Sequence, residues 1–283
     1  MRIGIGLPTT VPGATGDLLT AWARRADGGP FSSLGVLDRV VFDSLDPFVS
    51  LAAAAAVTSR MALVTMVVIG PLRPSVLLAK QAASVDALCG GRLVLGLSIG
   101  AREDDYTVTG VSRTDRGERL SRRLADLREA WGSSRIGPAT SDVDGPPLLV
   151  GGLSGASFAR MARSGDGYVH GGGPPRAFAS AASRALAAWE DFERPGRPEL
   201  WGQGYFALGE GDVVAAGERY LLDYYAFTGP FAEKIAATNL ASPRAVLDLV
   251  RGYEDAGCDE LVLLPTVASL DQVDRLADAL ARV

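Results

Sequence analysis

The sequence predicts an α/β protein folded as a single (β/α)8 TIM barrel, and three observations predict it. Short apolar runs alternate with longer stretches of helical period along the 283 residues. Eight such runs can be counted. They lack the strict polar alternation of a one-sided sheet, as expected of parallel strands covered on both faces. A doubly wound open sheet shares the alternation and is the runner-up. The last unit favours the barrel, because ELVLLP and an amphipathic stretch end the chain with no shift towards a second-domain composition. Barrels of this kind routinely use about 250 residues, so one domain over residues 1–283 is expected.

The first strand is read at Ile3 to Leu7 and the second at Ser33 to Leu37. An alanine-rich helix over Phe48 to Val57 leads to the third, Ala62 to Val68. Pro74 to Leu88 reads as a helix, with proline in its first turn and Gly90-Gly91 just past its end. The fourth strand, Arg92 to Ser98, precedes a helix at Arg116 to Trp131, where Leu120, Leu124, Leu127 and Trp131 recur at helical spacing. Gly132 to Pro147 is read as a helix-to-strand connection. Strands follow at Leu148 to Gly151, Gly167 to His170, Leu200 to Ala207 and Glu260 to Leu264, with helices at Phe178 to Phe192, Pro243 to Ala256 and Leu270 to Val283.

Composition excludes several functions. The chain is 47% hydrophobic with a formal net charge of -5, which opposes a protein held to nucleic acid by a basic face. Cys89 and Cys258 are isolated, and the single histidine, His170, has no cysteine at ligand spacing. No disulfide framework and no metal site are therefore expected. Lys80 and Lys234 are the only lysines. The opening MRIGIGLPTT is too short an apolar run for a signal peptide, and no run reaches the roughly 18 apolar residues of a membrane span. A cytoplasmic protein without a membrane partner is the expectation.

In a parallel barrel the chemistry sits at the C-terminal ends of the strands. Those ends carry Pro8 and Thr9, Asp38 and Arg39, Thr65 to Val68, Ser98 to Arg102, Gly151 to Ser154, His170 to Gly173, Gln203 to Tyr205, and Pro265 with Thr266. In LLVGGLSGASFARMA, Gly151-Gly152 lets the backbone approach a ligand, and Ser154 stands at a helix start suited to phosphate. A tight turn with a serine cap is the plain alternative. LVLGLSIGAREDDY supplies Ser98, Gly100, Arg102 and three acids, or simply a solvated loop. His170 is the only side chain whose unperturbed pKa lies near neutrality; a structural histidine is the alternative. Gln203 shares a strand face with Trp201 and Tyr205 and is a candidate for bonding a ligand. DYYAFTGPFAEKI, residues 223 to 235, forms either an aromatic lid or a packed excursion. No GxSxG elbow, phosphate loop or GxGxxG opening occurs. With so few acid and base groups, the chemistry is expected from an organic cofactor.

The run from Asp46 to Gly110, including LLAKQAASVDALCGGRLVLGL, together with PLLVGGLSGASFARMARSGDGY, resembles the bacterial luciferase-like monooxygenases and their deazaflavin-dependent relatives over nearly the whole chain. The resemblance implies a luciferase-like (β/α)8 barrel, usually dimeric, that binds FMN or coenzyme F-420 at its C-terminal end. Carried over position by position, it implies that Asp38 lies near the cofactor. It implies a non-prolyl cis peptide at Met66 and Val67 against the ring, and cofactor contacts from Gly100 and Asp104. Gly151, Gly152, Leu153 and Ser154 match the phosphate and ribityl site.

Two positions depart from the pattern. Many relatives have histidine where this chain has Arg39, and the dehydrogenase-type relatives have glutamate where it has Ala101. Arginine stays protonated and cannot act as a base, but it can offset negative charge. The expected activity is thus a monooxygenase using reduced FMN from a separate reductase, with oxygen and a small organic substrate. His170 and Arg39 are its catalytic candidates. One alternative is hydride transfer with coenzyme F-420, whose acidic tail Arg73, Arg102 or Arg176 would meet. Another is a flavin-binding barrel without turnover. The helices at Phe48 to Val57 and Val76 to Leu88 offer surfaces for a homodimer.

Overall fold

A computed structural model describes residues 1–133 and 136–281. Nine strand segments follow one another: β1 (Arg2–Gly6), β2 (Ser33–Val36), β3 (Ala62–Thr65), β4 (Val68–Ile69), β5 (Leu93–Ser98), β6 (Leu148–Gly151), β7 (Gly167–Val169), β8 (Glu199–Phe206) and β9 (Glu260–Pro265). Every pairing is parallel, and β1 bonds to both β2 and β9, which closes the sheet. β3 and β4 both pair with β5, so they are two halves of one barrel strand. The architecture is a closed eight-stranded (β/α)8 barrel. All eight expected strands are present; the third is interrupted at Met66 and Val67, where the peptide bond is cis.

The helices are α1 (Gly16–Asp27), α2 (Pro47–Ala55), α3 (Ser75–Cys89), α4 (Glu103–Thr109), α5 (Arg116–Gly132), α6 (Gly155–Ser164), α7 (Pro175–Asp191), α8 (Asp212–Tyr224), α9 (Phe231–Ala236), α10 (Pro243–Asp255) and α11 (Asp271–Leu280). Their ends follow local chemistry. α3 stops at Gly90, which adopts φ +65°, a left-handed conformation that glycine enters without a steric cost. α5 buries Leu120, Leu124, Leu127 and Trp131 as its spacing requires. The last expected helix was drawn to Val283, and its final two positions, 282 and 283, lie outside the described residues, as do 134 and 135 of the 132–147 connection. α1, α4 and α8 were not expected. The run 103–109 reads as a charged loop in sequence, yet it turns helical between Arg102 and the left-handed Gly110. No helix among the described residues is long and apolar enough to cross a membrane.

The core has two parts. One lies between barrel and helices and includes Trp22, Phe31, Leu78, Phe158, Phe178 and Tyr253; the other fills the barrel with Val64, Met66, Leu149, Trp201, Val262 and Leu264. At the N-terminal end the interior is sealed by buried Glu260, which accepts hydrogen bonds from Arg2 Nε (2.6 Å) and from the Ser32 and Ser33 hydroxyls. A cavity lies towards the other end.

Candidate active site

A cavity of about 240 Å³ lies at the C-terminal ends of the strands. Leu37, Asp38 and Arg39 line it after β2, and Met66, Val67 and Ile69 line it across the break between β3 and β4. Ser98, Gly100, Ala101 and Arg102 come from the end of β5, and Asp105 from α4. Gly151, Gly152, Val169, Gly171 and Gln203 complete the wall, and Tyr224, Tyr225 and Phe227 lie over it.

One wall is bare backbone. Gly100 has φ +70°, and a Cβ there would stand 2.6 Å from Ile69 Cγ2. Gly152 has φ +130°, and a Cβ there would meet Ser157 Oγ at 2.6 Å. Both positions need glycine for space and for backbone angle. The facing residues Leu37, Met66, Val67 and Val169 are apolar, so the cavity suits a flat, largely apolar group.

Asp38 is buried and already committed. Its carboxylate accepts from the Ile69 amide at 2.9 Å and from Arg73 at 3.0 Å, while Arg73 also reaches Asp46 at 2.9 Å. Burial pushes the Asp38 carboxyl above the usual range, against the pull of Arg73. Asp38 thereby ties the end of β4 to β2 and shapes the wall at Met66 and Val67.

Arg39 is committed on two of its three nitrogens. Nε donates to Asp105 at 2.9 Å and Nη2 to Asp104 at 3.4 Å. The guanidinium carbon lies 5.2 Å from the Phe42 ring centre and 5.5 Å from that of Tyr224. Nη1 is buried without a partner among the described residues. Asp105, fully buried, also accepts from the Val40 and Val41 amides at 3.0 and 2.9 Å. Asp104 sits at the rim, where a hydrogen bond from Arg102 holds its carboxyl below the usual range. Arg102 in turn donates to the Tyr224 carbonyl at 2.5 Å and lies 4.6 Å from the Phe227 ring centre. It latches the loop after β5 to the aromatic cover.

Under that cover the hydroxyls of Tyr205 and Tyr225 are 2.6 Å apart, as are those of Thr10 and Tyr220. Burial pushes all three of Tyr205, Tyr220 and Tyr225 above the usual phenol range, so each keeps its proton at neutral pH. Gln203 uses its amide nitrogen on the Gly171 carbonyl at 3.1 Å.

Of the expected site residues, Asp38, Arg39, Met66, Val67, Gly100, Gly151 and Gly152 meet around the cavity, with Asp104 at its edge. Leu153 and Ser154 do not line it: Leu153 is exposed, and Ser154 caps α6 in a reciprocal pair with Ser157. His170 is not brought to the cavity either. Val169 points into the barrel, so its neighbours Tyr168 and His170 point out to the helix layer. The imidazole stands edge-on to Phe178 at 5.8 Å, with Nδ1 3.2 Å from the Tyr168 hydroxyl. Burial pushes its pKa down. Asp105 escaped selection in the sequence, because nothing in the acidic run 103–105 distinguishes one carboxylate from the next; only the turn of α4 buries this one. The cavity lining contains no histidine or lysine, so it binds and orients more readily than it exchanges protons near neutral pH.

Residues 1–245 match the family model described as luciferase-like monooxygenase. An uncharacterized protein of Mycobacterium tuberculosis, Rv0940c, is 37% identical over 143 residues, which is 46% of this chain and 49% of that one. The chain thus spans about half the length of the curated relatives it matches. Its fold superposes on that of monooxygenase RslO1 from Streptomyces bottropensis with a TM-score of 0.84 at 21% identity, covering 100% of this chain and 99% of that one. An F420-dependent secondary alcohol dehydrogenase gives a TM-score of 0.82 at 14% identity, covering 98% and 97%. At those identities the likeness is one of fold. The family match, the closed barrel and the cavity at its C-terminal end agree, and the chain belongs to the luciferase-like monooxygenase family.

Proposed function

We propose that the protein is a flavin-dependent monooxygenase that uses reduced FMN and molecular oxygen to oxidise an organic substrate. The observation that carries this reading is the cavity itself, with a bare glycine wall facing apolar side chains and no histidine or lysine in its lining. The residues fit a flat heteroaromatic group: Met66 and Val67 would lie against its face, Gly100, Gly151 and Gly152 would leave room along its edge, and Asp104 would stand at the rim. Leu153 and Ser154 would stand by its phosphate, which the amides at the start of α6 suit. When bound, reduced FMN supplies two electrons, so that one oxygen atom enters the substrate and the other leaves as water. The chain's own part is to hold and cover. Tyr224 and Phe227 keep water out, Arg39 presents a fixed cationic donor, and His170 supports the Gly171–Gly173 turn from behind β7. A separate reductase would deliver the reduced flavin. Exposed Val49, Val76 and Leu77 on α2 and α3 support a homodimer.

A second reading, hydride transfer with coenzyme F-420, is supported by the fold likeness to the F420-dependent dehydrogenase. Its acidic tail needs free cations at the mouth. Arg73 and Arg102 are both engaged within the chain, which favours FMN, while exposed Arg176 in the first turn of α7 is the cation of the three left to meet such a tail. Titration of the purified protein with FMN and with coenzyme F-420, followed by absorbance and fluorescence, tests the choice. Saturable FMN binding, then substrate-dependent oxygen uptake with reduced FMN, is expected. Binding of the deazaflavin alone would overturn the monooxygenase in favour of hydride transfer, and binding of neither would sink both.

A further inference from the structure

Every charge at the cavity is met within the chain: Arg39 by Asp105, Arg102 by Asp104, and Asp38 by Arg73, which also reaches Asp46. An incoming carboxylate would shed its hydration and find no unmatched cation, while an incoming ammonium would find the carboxylates already engaged. The site therefore favours a neutral molecule.

Several hydrogen-bond donors remain at the cavity, the Ser98 and Tyr224 hydroxyls among them, and two more are held in a fixed direction by their neighbours. Arg39 Nη1 is buried without an acceptor, and the pairing of Nε and Nη2 together with the rings of Phe42 and Tyr224 fixes the guanidinium plane. The second donor follows from counting protons. Tyr205 and Tyr225 each carry one, and the 2.6 Å contact between their oxygens holds only one of the two. Tyr205 is buried on β8 and has no other acceptor, whereas Tyr225 lines the cavity. Leaving a buried donor unmade costs about 1–3 kcal/mol, so Tyr205 donates to Tyr225 and the Tyr225 proton turns to the cavity. A hydroxyl that accepts a hydrogen bond is polarised into a better donor. Leu37, Met66, Val169 and Phe227 give the cavity an apolar side.

We propose that the cavity selects a neutral substrate with a carbonyl-type acceptor oxygen on an apolar body, held by the Tyr225 hydroxyl and Arg39 Nη1. This rests on the reading of the cavity as the substrate site of a flavin enzyme. Three compounds of similar shape test it: tetralone, the hydrocarbon tetralin and the carboxylate naphthoate. Binding is measured by calorimetry on the flavin-free protein and by the perturbed flavin spectrum on the FMN-loaded protein. Tetralone is expected to bind about tenfold more tightly than either other compound. Tyr225→Phe and Arg39→Lys should each bring the ketone-to-hydrocarbon ratio close to one. The ratio is taken within each protein, so a general loss of folded sites cancels. Tighter binding of naphthoate, a ratio unchanged in both variants, or binding of none of the three overturns the proposal. Ketone preference in a protein that binds no FMN would refute the cofactor reading and leave this recognition standing. FMN binding without ketone preference would do the reverse.

Discussion

The two ends of the barrel use the same residue types to opposite effect. At the N-terminal end, Glu260 accepts from Arg2, Ser32 and Ser33, and Arg2 also reaches Glu199 at 2.9 Å. The packing there is so close that a Cβ on Gly4 would stand 2.1 Å from Ser33 Oγ. At the C-terminal end, Arg39 and Asp105 make a more deeply buried pair, yet Nη1 of Arg39 and the Thr9 hydroxyl have no partner among the described residues. One end uses its polar groups to seal the interior. The other accepts the cost of unmade hydrogen bonds, which is the pattern of a surface that waits for a ligand.

The largest expected effect tests whether the ligand end is also a structural end. Asp105→Ala leaves the Arg39 charge buried without its main partner and frees two backbone amides, so unfolding in denaturant should show a loss of about 3–5 kcal/mol. A loss below about 1 kcal/mol would mean that water or another acid replaces Asp105. Glu260→Ala should cost less, about 2–3 kcal/mol, because Arg2 is half exposed and rehydrates once its partner is removed. It should leave the ketone-to-hydrocarbon binding ratio untouched; a changed ratio would break the division between the two ends.

The smallest effect concerns His170. Burial lowers its pKa in the folded chain from the ordinary 6.5, so below that value the unfolded chain binds the extra proton and the folded one resists it. The contribution of His170 to stability is therefore full above pH 6.5 and is lost as pH falls through the lower folded-state pKa. Thermal unfolding from pH 7.5 down to 5 should show this acid-side loss, and His170→Gln should flatten it. An identical pH slope in the variant would show that the imidazole is already hydrated in the folded state.

Much of the barrel was legible because strands covered on both faces must be apolar at nearly every position. Ser33–Val36 and Leu148–Gly151 are wholly buried, and both stand out as short runs in the sequence. Gly100 and Gly152 were legible for a related reason, since glycine at a strand end announces a backbone that must come close to something. That same uniform burial hid the facing of His170. A strand whose two sides are both apolar carries no polar alternation to say which side looks inward, and a one-residue change of phase moves a side chain from cavity to helix layer. Asp105 and Tyr225 were hidden differently: a carboxylate among carboxylates and a tyrosine among tyrosines acquire a role only from the neighbour each one meets.

The sequence by itself determined the order of the strands and most of the helices, the bare glycine wall, the placing of Asp38 and Arg39 side by side at one strand end and the family to which they belong. These are local or compositional properties, set by which residues can be buried and which backbone angles they allow. Only the tertiary structure decided that Arg39 has its charge met by Asp105, that the hydroxyls of Tyr205 and Tyr225 meet and that His170 stands behind the wall. Each depends on groups far apart in the chain, Arg39 and Asp105 being 66 residues apart, and closure of the barrel is what brings such groups within hydrogen-bond reach.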